Sequence, residues 1–240
     1  MAQQPIESAK APAAIPDWGA EASGPAPSQW LLPTLAVVTL SVLVGGAVAV
    51  FGGALAGVIV AVLCFLAALA WLWVQPRWVL SRAAARPLAE GEHPRLANVA
   101  LGLARDLHML APSIRLIEGG PPNALATYVG GPVIVISTSF LESLTRTELE
   151  AVIAHTLLRT NPGAVRVRGL RSVVGPLAGS PDPTLGEDLR TCAVTRYPPA
   201  LAAAIGKAVP AGGRWSAFWF VGSGDSVATP EERTRALEDL

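Results

Sequence analysis

The sequence predicts an α+β protein, mostly helical with a small β-sheet, preceded by a two-helix transmembrane hairpin. Three observations support this fold class: an uncharged apolar stretch near the N-terminus, short β-branched segments bounded by glycine and proline, and longer segments with helical spacing of apolar residues. Of the 240 residues, 51% are hydrophobic and 15% are charged, and the formal net charge is zero. A neutral chain has no overall attraction for nucleic acid, so we predict no nucleic-acid partner.

The N-terminal tail is rich in Ala, Pro, Ser and Gln and shows no periodic apolar positions. A segment of this composition buries too little apolar surface to fold, so we predict disorder over residues 1–29. No basic stretch leads directly into an apolar core, and a cleaved signal peptide is therefore not expected.

Residues 30–76 are predicted to form two transmembrane helices. The stretch from Trp30 to Val74 contains no charged residue, and it is about twice as long as the ~20 residues that one span requires. A central Gly-Gly pair allows a tight turn, so we predict helices at Leu31–Val50 and Ala54–Val74. Small residues on both helices would let them approach each other closely.

The orientation of the hairpin follows from the arginines at positions 77, 82 and 86, which come soon after the second span. An excess of arginine in short flanking segments marks the cytoplasmic side of a membrane. Two spans put both termini on that side. We therefore predict a cytoplasmic domain over residues 77–240, in a protein of the plasma (inner) membrane whose partner is membrane lipid.

The domain is predicted to alternate helices with a few strands. Helical periodicity, capping residues and turn residues predict the following elements: a helix at Pro94–Leu110, a strand at Ser113–Ile117, a hairpin of Ala124–Val129 with Val133–Ser137, a helix from Thr145 to about Thr160 that ends before Pro162, helices at Leu185–Val194, Pro199–Val209 and Pro230–Leu240, and a loop at Pro181–Pro183. The apolar segment Trp215–Val221 is consistent with a strand or a short docking segment.

The most informative motif is H-T-L-L-R at positions 155–159, where a zinc protease would have H-E-x-x-H. That motif puts two histidines on one helix face toward a metal, with a Glu that activates water. Here His155 is present, Thr156 replaces the Glu and Arg159 replaces the second His. Thr cannot act as a carboxylate base, and a permanent cation repels Zn²⁺.

Several segments around this motif carry a resemblance to a known family. They are P-N-A-L-A-T at Pro122–Thr127, V-I-V-I-S at Val133–Ser137 with Phe140-Leu141, T-E-L-E-A-V-I-A-H at Thr147–His155, T-R-Y-P-P-A-L at Thr195–Leu201 and P-E-E-R at Pro230–Arg233. From about Pro87 onward the chain resembles the HtpX-type membrane zinc metalloproteases, relatives of the CAAX prenyl proteases. The resemblance implies a zincin-like domain, and the two-helix hairpin before it fits the same family.

The resemblance also implies where a third zinc ligand would lie. In that family it is a Glu in a Glu-x-x-x-Asp motif on a later helix. Counting back from Pro198 aligns Asp188 with the motif's Asp and Thr184 with its Glu, whereas a shifted alignment would offer Glu187. Under the first alignment, His155 alone remains of the three ligands, as a vestige.

We therefore predict a catalytically inactive homologue that acts as a binding, scaffold or regulatory protein and holds no cofactor. A general base is worth about 10²–10⁴ in rate, and loss of the metal also removes Lewis-acid activation of water. The other histidines, His93 and His108, lack ligand spacing and are expected at the surface or in helix packing. The alternative is an active membrane metalloendopeptidase that binds zinc through non-standard ligands.

Two hypotheses concern the arginines of this region. The guanidinium of Arg159 is expected either to fill the vacated metal position, paired with Asp188 or Glu187, or to point to solvent at the helix C-terminus, where a cation suits the helix dipole. The arginines at 166, 168 and 171 are predicted to form a short basic loop, either solvated or lying on anionic lipid head groups.

The strand at Pro132–Ser137 is predicted to be a sheet edge that could accept an extended peptide. Its candidate contact residues are Val133, Ile134, Val135 and Ile136. Peptide binding of this kind would survive loss of the metal, so a protein or peptide partner is one hypothesis. The other is that the tail or another cytoplasmic face recruits partners without using the cleft.

Overall fold

The computed structural model describes residues 27–174, 184–213, 215–224 and 228–240. In chain order the elements are α1 (Pro27–Gly52), α2 (Ala54–Arg82), β1 (Arg86–Pro87), α3 (Pro94–Asp106), β2 (Ser113–Ile117), β3 (Ala124–Tyr128), β4 (Pro132–Ser137), α4 (Thr138–Ser143), α5 (Arg146–Leu158), α6 (Pro162–Val174), α7 (Thr184–Thr195), α8 (Pro198–Lys207), a 3-10 turn (Ser216–Phe218) and α9 (Pro230–Glu238).

The predicted fold class is confirmed: two long apolar helices precede a mostly helical domain with one small sheet. The predicted N-terminal tail lies outside the described residues, except that α1 begins at Pro27. The predicted loop at Pro181–Pro183 also lies outside them. Helices α3, α5, α7 and α8 lie where the periodicity predicts them, with ends that shift by a few residues.

Helices α1 and α2 pack together as an apolar hairpin, and both are long and apolar enough to cross a membrane. The turn residue Gly53 has a φ of 84°, a left-handed conformation that glycine adopts without strain. A Cβ on Gly45 would lie 2.6 Å from the Gly57 carbonyl oxygen and 2.7 Å from the Ala61 Cβ. The helices are therefore in contact through small residues, while large apolar side chains such as Phe51, 93% exposed, face outward.

Helix α2 continues past the predicted end at Val74 as far as Arg82, and its last turns belong to the domain. Gln75 is fully buried, and its Nε2 donates a hydrogen bond to the carbonyl of Val165, 3.2 Å away on α6. A Cβ on Gly169 would lie 2.1 Å from that Nε2, so α6 approaches α2 as closely as a glycine permits.

The segment after the H-T-L-L-R motif corrects one prediction. It is the helix α6, and neither a loop nor fully solvated. Pro162 occupies the first helical position, where a proline is tolerated because its missing N–H has no intrahelical partner. Arg166 stacks over the Trp73 ring at 4.1 Å from the centroid, and Arg168 is buried at 4% exposure. Tertiary packing against α1 and α2 therefore orders a sequence that reads as a basic linker.

The sheet has the strand order β1-β2-β4-β3. Strands β3 and β4 form the predicted antiparallel hairpin, β2 pairs in parallel with β4, and β1 pairs antiparallel with β2. The prediction that Pro132–Ser137 is a sheet edge is therefore wrong: β4 is an interior strand. Its backbone is hydrogen-bonded on both sides, and all six residues are buried. Such continuous apolar runs are typical of strands covered on both faces.

The two faces of the sheet pack against different elements. Side chains on one face, such as Leu116 and Ile134, join the main core with α3, α5 and α8. Side chains on the other face, such as Val133 and Val135, pack with Val79 near the end of α2. Because successive strand residues point to opposite faces, β4 supplies both cores. The sheet thus links the end of the membrane hairpin to the buried helix α5.

The apolar segment Trp215–Val221 forms a 3-10 turn followed by a short contact with the sheet. Trp219 makes an antiparallel bridge with Leu125 of β3, and the Phe220 N–H donates to the Ala124 carbonyl at 2.7 Å. Asn123 fixes the end of this segment, since its Nδ2 donates to the Val221 carbonyl at 2.8 Å. The segment therefore covers the side of β3 that faces away from β4.

Candidate functional site

Helix α5 carries the H-T-L-L-R motif through the centre of the domain. A capping box opens the helix, in which Thr145 accepts from the Glu148 N–H while the Glu148 carboxylate accepts from the Thr145 N–H. The helix is fully buried from Ala151 to Leu157. His155 and Thr156 are fully buried, and Arg159 is 4% exposed at the helix C-cap.

Thr156, which the resemblance aligns with the catalytic Glu, turns its hydroxyl back onto its own helix. Oγ1 donates to the Val152 carbonyl at 2.8 Å and lies 3.0 Å from the Ile153 carbonyl. This is the ordinary way in which a buried helical threonine satisfies its hydroxyl. The side chain therefore offers no group that could accept a proton from water.

His155 packs into a closed, partly charged environment. Its Nε2 lies 3.1 Å from Oδ1 of Asp188, and the ring meets the Phe220 ring edge-on at 5.0 Å between centroids. Nδ1 is buried and has no hydrogen-bond partner among the described residues. Burial lowers the pKa of His155, against the opposing effect of the Asp188 carboxylate, so the imidazole is held neutral.

Asp188 is held by an arginine from the C-terminal helix α9. Arg233 Nε donates to Oδ2 at 2.8 Å, and one terminal nitrogen donates to Oδ1 at 2.7 Å, which makes a bidentate pair. Both side chains are almost fully buried. Burial alone would raise the pKa of Asp188, but the hydrogen bonds from Arg233 outweigh it and lower that pKa, so the carboxylate stays ionised.

Glu187, the neighbour of Asp188, pairs with two other arginines. Arg159 Nε lies 2.9 Å from Oε2, and one terminal nitrogen of Arg168 donates to Oε1 at 3.2 Å. Burial alone would raise the pKa of Glu187, but the positive charges of Arg159 and Arg168 lower it to about 2. Arg168 also donates to the Arg159 carbonyl at 2.9 Å, which satisfies an acceptor at the end of α5.

The same arginines hold the segment that covers β3. Arg159 donates to the Ala217 carbonyl at 2.5 Å and to the Trp219 carbonyl at 2.7 Å, and Arg233 donates to the Phe220 carbonyl at 2.8 Å. We refer to the six side chains His155, Arg159, Arg168, Glu187, Asp188 and Arg233 as the arginine network. It bonds α5, α6, α7 and α9 to one another and to this segment.

The residues present do not fit a zinc ion. A catalytic zinc needs three protein ligands with an open fourth position, but a guanidinium stands where the second histidine ligand would be. His155 turns Nε2 toward Asp188, whose two oxygens are both used by Arg233. Among the residues that the structure describes, no group of three His, Cys, Asp or Glu side chains is arranged to hold a metal ion.

The structure brings some of the predicted site residues together and separates others. Arg159 contacts Glu187, while Asp188 contacts His155 and Arg233. Thr184, which the resemblance aligns with the third ligand, is buried at the start of α7. Two predicted surface histidines lie at the ends of α3: His93 is its N-cap, and the exposed His108 follows it.

Arg233 and Arg168 are members of the site that the sequence did not predict. Arg233 sits in P-E-E-R, a segment noted for its resemblance, and helical spacing puts it on the same face as the buried Leu237. That spacing is a signal that could have identified a buried arginine. Arg168 gives no comparable signal, because it lies among other arginines in a polar-looking stretch.

Comparison with curated proteins finds relatives that share one name, "Protease HtpX homolog". The chain is 34% identical to the protein from Thermococcus sibiricus over 104 residues, which cover 42% of this chain and 36% of that protein. It is 29% identical to the protein from Syntrophobacter fumaroxidans over 146 residues, 60% of this chain and 50% of that protein. It is 36% identical to the protein from Pyrococcus abyssi over 87 residues, 35% and 30% of the two chains.

These matches cover about a third to a half of each relative's length. No family model matches the chain, and no solved structure matches it. The relatives come from distant organisms and agree in name, and the chain has the α+β architecture with a preceding apolar hairpin that the resemblance implies. Over the matched residues, the chain is therefore similar to HtpX-type proteases.

Proposed function

We propose that this chain is a membrane-anchored HtpX-type homologue without peptidase activity, in which the arginine network replaces the metal centre. The observation that carries the proposal is the buried contact between Arg159 and Glu187, 2.9 Å apart. It supports the hypothesis that the guanidinium fills the metal position rather than pointing to solvent. A cation held there by a carboxylate excludes a second cation from the same space.

The loss of activity has two independent chemical causes. Without a carboxylate at position 156, the protein lacks a general base, an effect of about 10²–10⁴ in rate. Without a metal ion, no low-pKa water is generated and no carbonyl is polarised. The Thr156 hydroxyl, which is bonded to its own helix, replaces neither function.

We further propose that the protein acts through binding, as a scaffold or regulator. We expect its binding surface to differ from the substrate cleft that an active protease of this type would use. The arginine network donates to three carbonyls of the segment that covers β3, and this segment occupies the position that an added peptide strand would need. These contacts favour a cytoplasmic face over the cleft as the site of a protein partner. Both termini are proposed to be cytoplasmic, with the arginines after α2 on that side.

The first test is the zinc content of the detergent-purified full chain, measured by elemental mass spectrometry. We expect no stoichiometric zinc in the native protein and no hydrolysis of a casein substrate. Stoichiometric zinc would contradict the proposal and support the alternative, an active metalloendopeptidase with non-standard ligands.

A matched pair of variants makes the zinc measurement specific. Thr156→Glu with Arg159→His restores the motif on α5, and adding Thr184→Glu restores the third ligand implied by the resemblance. We expect the triple variant to bind more zinc than the double variant, because Asp188 is already engaged by Arg233 and cannot serve as the third ligand. Equal zinc binding by the two variants would refute the assignment of position 184.

A further inference from the structure

A cavity lies where the C-terminal turns of α2 meet the sheet. Its volume is about 240 Å³ and it is open to solvent. Arg77 and Ser81 of α2 line one side and Arg115 of β2 lines another, with Leu80, Ala85 and Val129 supplying apolar surface. The cavity is separate from the arginine network and contains none of its residues.

The two arginines of this cavity have cationic groups that no carboxylate in the described part of the chain neutralises. Arg77 donates to the Trp73 carbonyl at 3.1 Å, and Arg115 donates to the Ala85 carbonyl at 3.0 Å. Each bond uses one of a guanidinium's five N–H donors. By contrast, the nearby Arg86 is paired with both Glu92 and Glu118.

The position of Arg115 is unusual for a charged residue. It lies on the sheet face opposite Leu116 and stands beside Val135 in the strand register, on the side that packs against the end of α2. Half-burying a guanidinium beside apolar neighbours has a desolvation cost. A bound anion would offset that cost. This argues for a ligand of negative charge.

Aromatic residues mark the level of the cavity relative to the membrane. Trp71, Trp78 and Trp215 form a cluster with ring centroids about 6 Å apart, and the exposed Trp73 lies one turn before Arg77. Tryptophans concentrate at the interface between hydrocarbon and water. Arg82 stacks on Trp78 at 4.4 Å from the ring centroid, which adds a further cation at the same level.

We propose that this cavity binds the phosphate group of an anionic phospholipid from the surrounding leaflet. Arg77 and Arg115 donate to the phosphate oxygens, and Leu80 and Val129 pack against the glycerol region. The Ser81 hydroxyl lines the site but donates its hydrogen to the Trp78 carbonyl at 2.9 Å, so it makes no bond to the phosphate. The guanidinium fork suits phosphate oxygens, and clustered arginines beside a membrane span favour anionic lipid. The apolar part of the cavity favours a lipid over free inorganic phosphate, which has no apolar portion.

The test compares three forms of the full chain in nanodiscs that contain equal amounts of phosphatidylglycerol and phosphatidylcholine. They are the native protein, Arg77→Gln/Arg115→Gln, and the control Arg95→Gln/Arg105→Gln, which removes the same charge from exposed positions on α3. Native mass spectrometry counts the lipids that remain bound after release. We expect the native protein and the control to retain phosphatidylglycerol preferentially, and the cavity variant to lose that preference several-fold.

The proposal would be overturned by equal retention in the cavity variant and the native protein, by equal loss in the control, or by no preference in the native protein. If the double variant fails to fold, the single variant Arg77→Gln, at an exposed position, replaces it. This variant must itself reduce the preference for phosphatidylglycerol. A separate arm adds inorganic phosphate to protein in pure phosphatidylcholine. Thermal stabilisation by phosphate there, with lipid retention unchanged between variants, would assign the cavity to soluble phosphate and refute the lipid assignment.

Discussion

Arg159 Nε lies 2.9 Å from Oε2 of Glu187, and this ion pair joins the end of α5 to the start of α7 in the interior of the domain. The arginine network contains three guanidinium groups and two carboxylates, and the imidazole of His155 is neutral. The positive charges therefore outnumber the negative charges by one. The excess positive charge is balanced by backbone carbonyls, which accept from the arginines at the 3-10 turn and at the end of α5. This part of the interior is thus organised around three buried arginines.

We expect Arg159→Leu to destabilise the protein strongly. The substitution leaves Glu187 with Arg168 as its remaining partner and leaves the carbonyls of Ala217 and Trp219 without their donor. Breaking a buried ion pair in this way costs about 3–5 kcal/mol. Chemical unfolding in detergent measures the loss, with the exposed Arg95→Leu as a control that should change stability by about 0.5 kcal/mol or less. An unchanged unfolding midpoint for Arg159→Leu would contradict the pairing.

Arg233→Met is expected to be comparably destabilising, by about 3–5 kcal/mol, because Asp188 then becomes a buried charge without its bidentate partner. Hydrogen exchange should show that α9 opens more readily in this variant, since the helix loses its connection to α7. Arg235→Met removes an exposed arginine from the same helix and serves as the control. Adding Asp188→Asn should recover part of the loss; a failure to recover any would argue that Arg233 acts through packing alone.

Stability should fall as the pH falls, in two stages. The pKa of His155 is lowered in the folded state, so its contribution is present above the unfolded value of about 6.5 and decreases below it. The pKa of Glu187 is lowered to about 2, so its contribution is present above the unfolded value of 4.5 and is lost as the pH falls through about 2.

The free energy of unfolding measured from pH 7.5 to pH 3 tests this dependence. His155→Phe removes a titrating group from the first stage, so the slope between about pH 6.5 and 5 should be shallower than in the native chain. Glu142→Gln, at an exposed position on α4, should leave both stages unchanged. Stability that rises on acidification would contradict the buried neutral state of His155.

Gly169→Ala is expected to weaken the contact between α6 and α2. Its new methyl group would lie about 2 Å from the amide of the fully buried Gln75, so this amide would have to shift and strain its hydrogen bond to the Val165 carbonyl. Gly102→Ala on α3 is the matched control, because nothing lies within 4 Å of its Cβ position and alanine favours a helix by up to about 1 kcal/mol over glycine. Thermal unfolding should separate the two, with a lower midpoint for Gly169→Ala; the combination with Gln75→Ala should restore it. Equal midpoints would contradict the close approach.

The proposed orientation predicts which residues a membrane-impermeant maleimide can reach in intact cells. Phe51→Cys, in the last turn of α1 beside the connection to α2, should be labelled, whereas Glu238→Cys should react only after permeabilisation. The native chain, with its two cysteines, is the control for background labelling. Burial raises the pKa of Cys192 to about 11, and Cys64 lies within α2, so we expect little labelling of either. The reverse pattern would place the domain outside.

The sequence by itself determined most of the elements and the resemblance to HtpX-type proteases. The length of the uncharged apolar stretch predicts the helical hairpin of α1 and α2. Capping and turn residues predict α5 and the β3–β4 hairpin, and the H-T-L-L-R motif predicts the loss of zinc chemistry. These signals are local: each depends on residues within a few turns of one another, so one-dimensional periodicity and spacing are sufficient to recognise them.

The tertiary structure alone decided the rest, because it depends on contacts between residues distant in the chain. The pairing of β2 with β4 makes β4 an interior strand, although its hairpin looks like an edge in sequence. Packing against α2 converts a basic segment into helix α6, and Arg233 reaches Asp188 from 45 residues away. Which cation meets which carboxylate is set by the global packing of α5, α6, α7 and α9, and no local pattern encodes it.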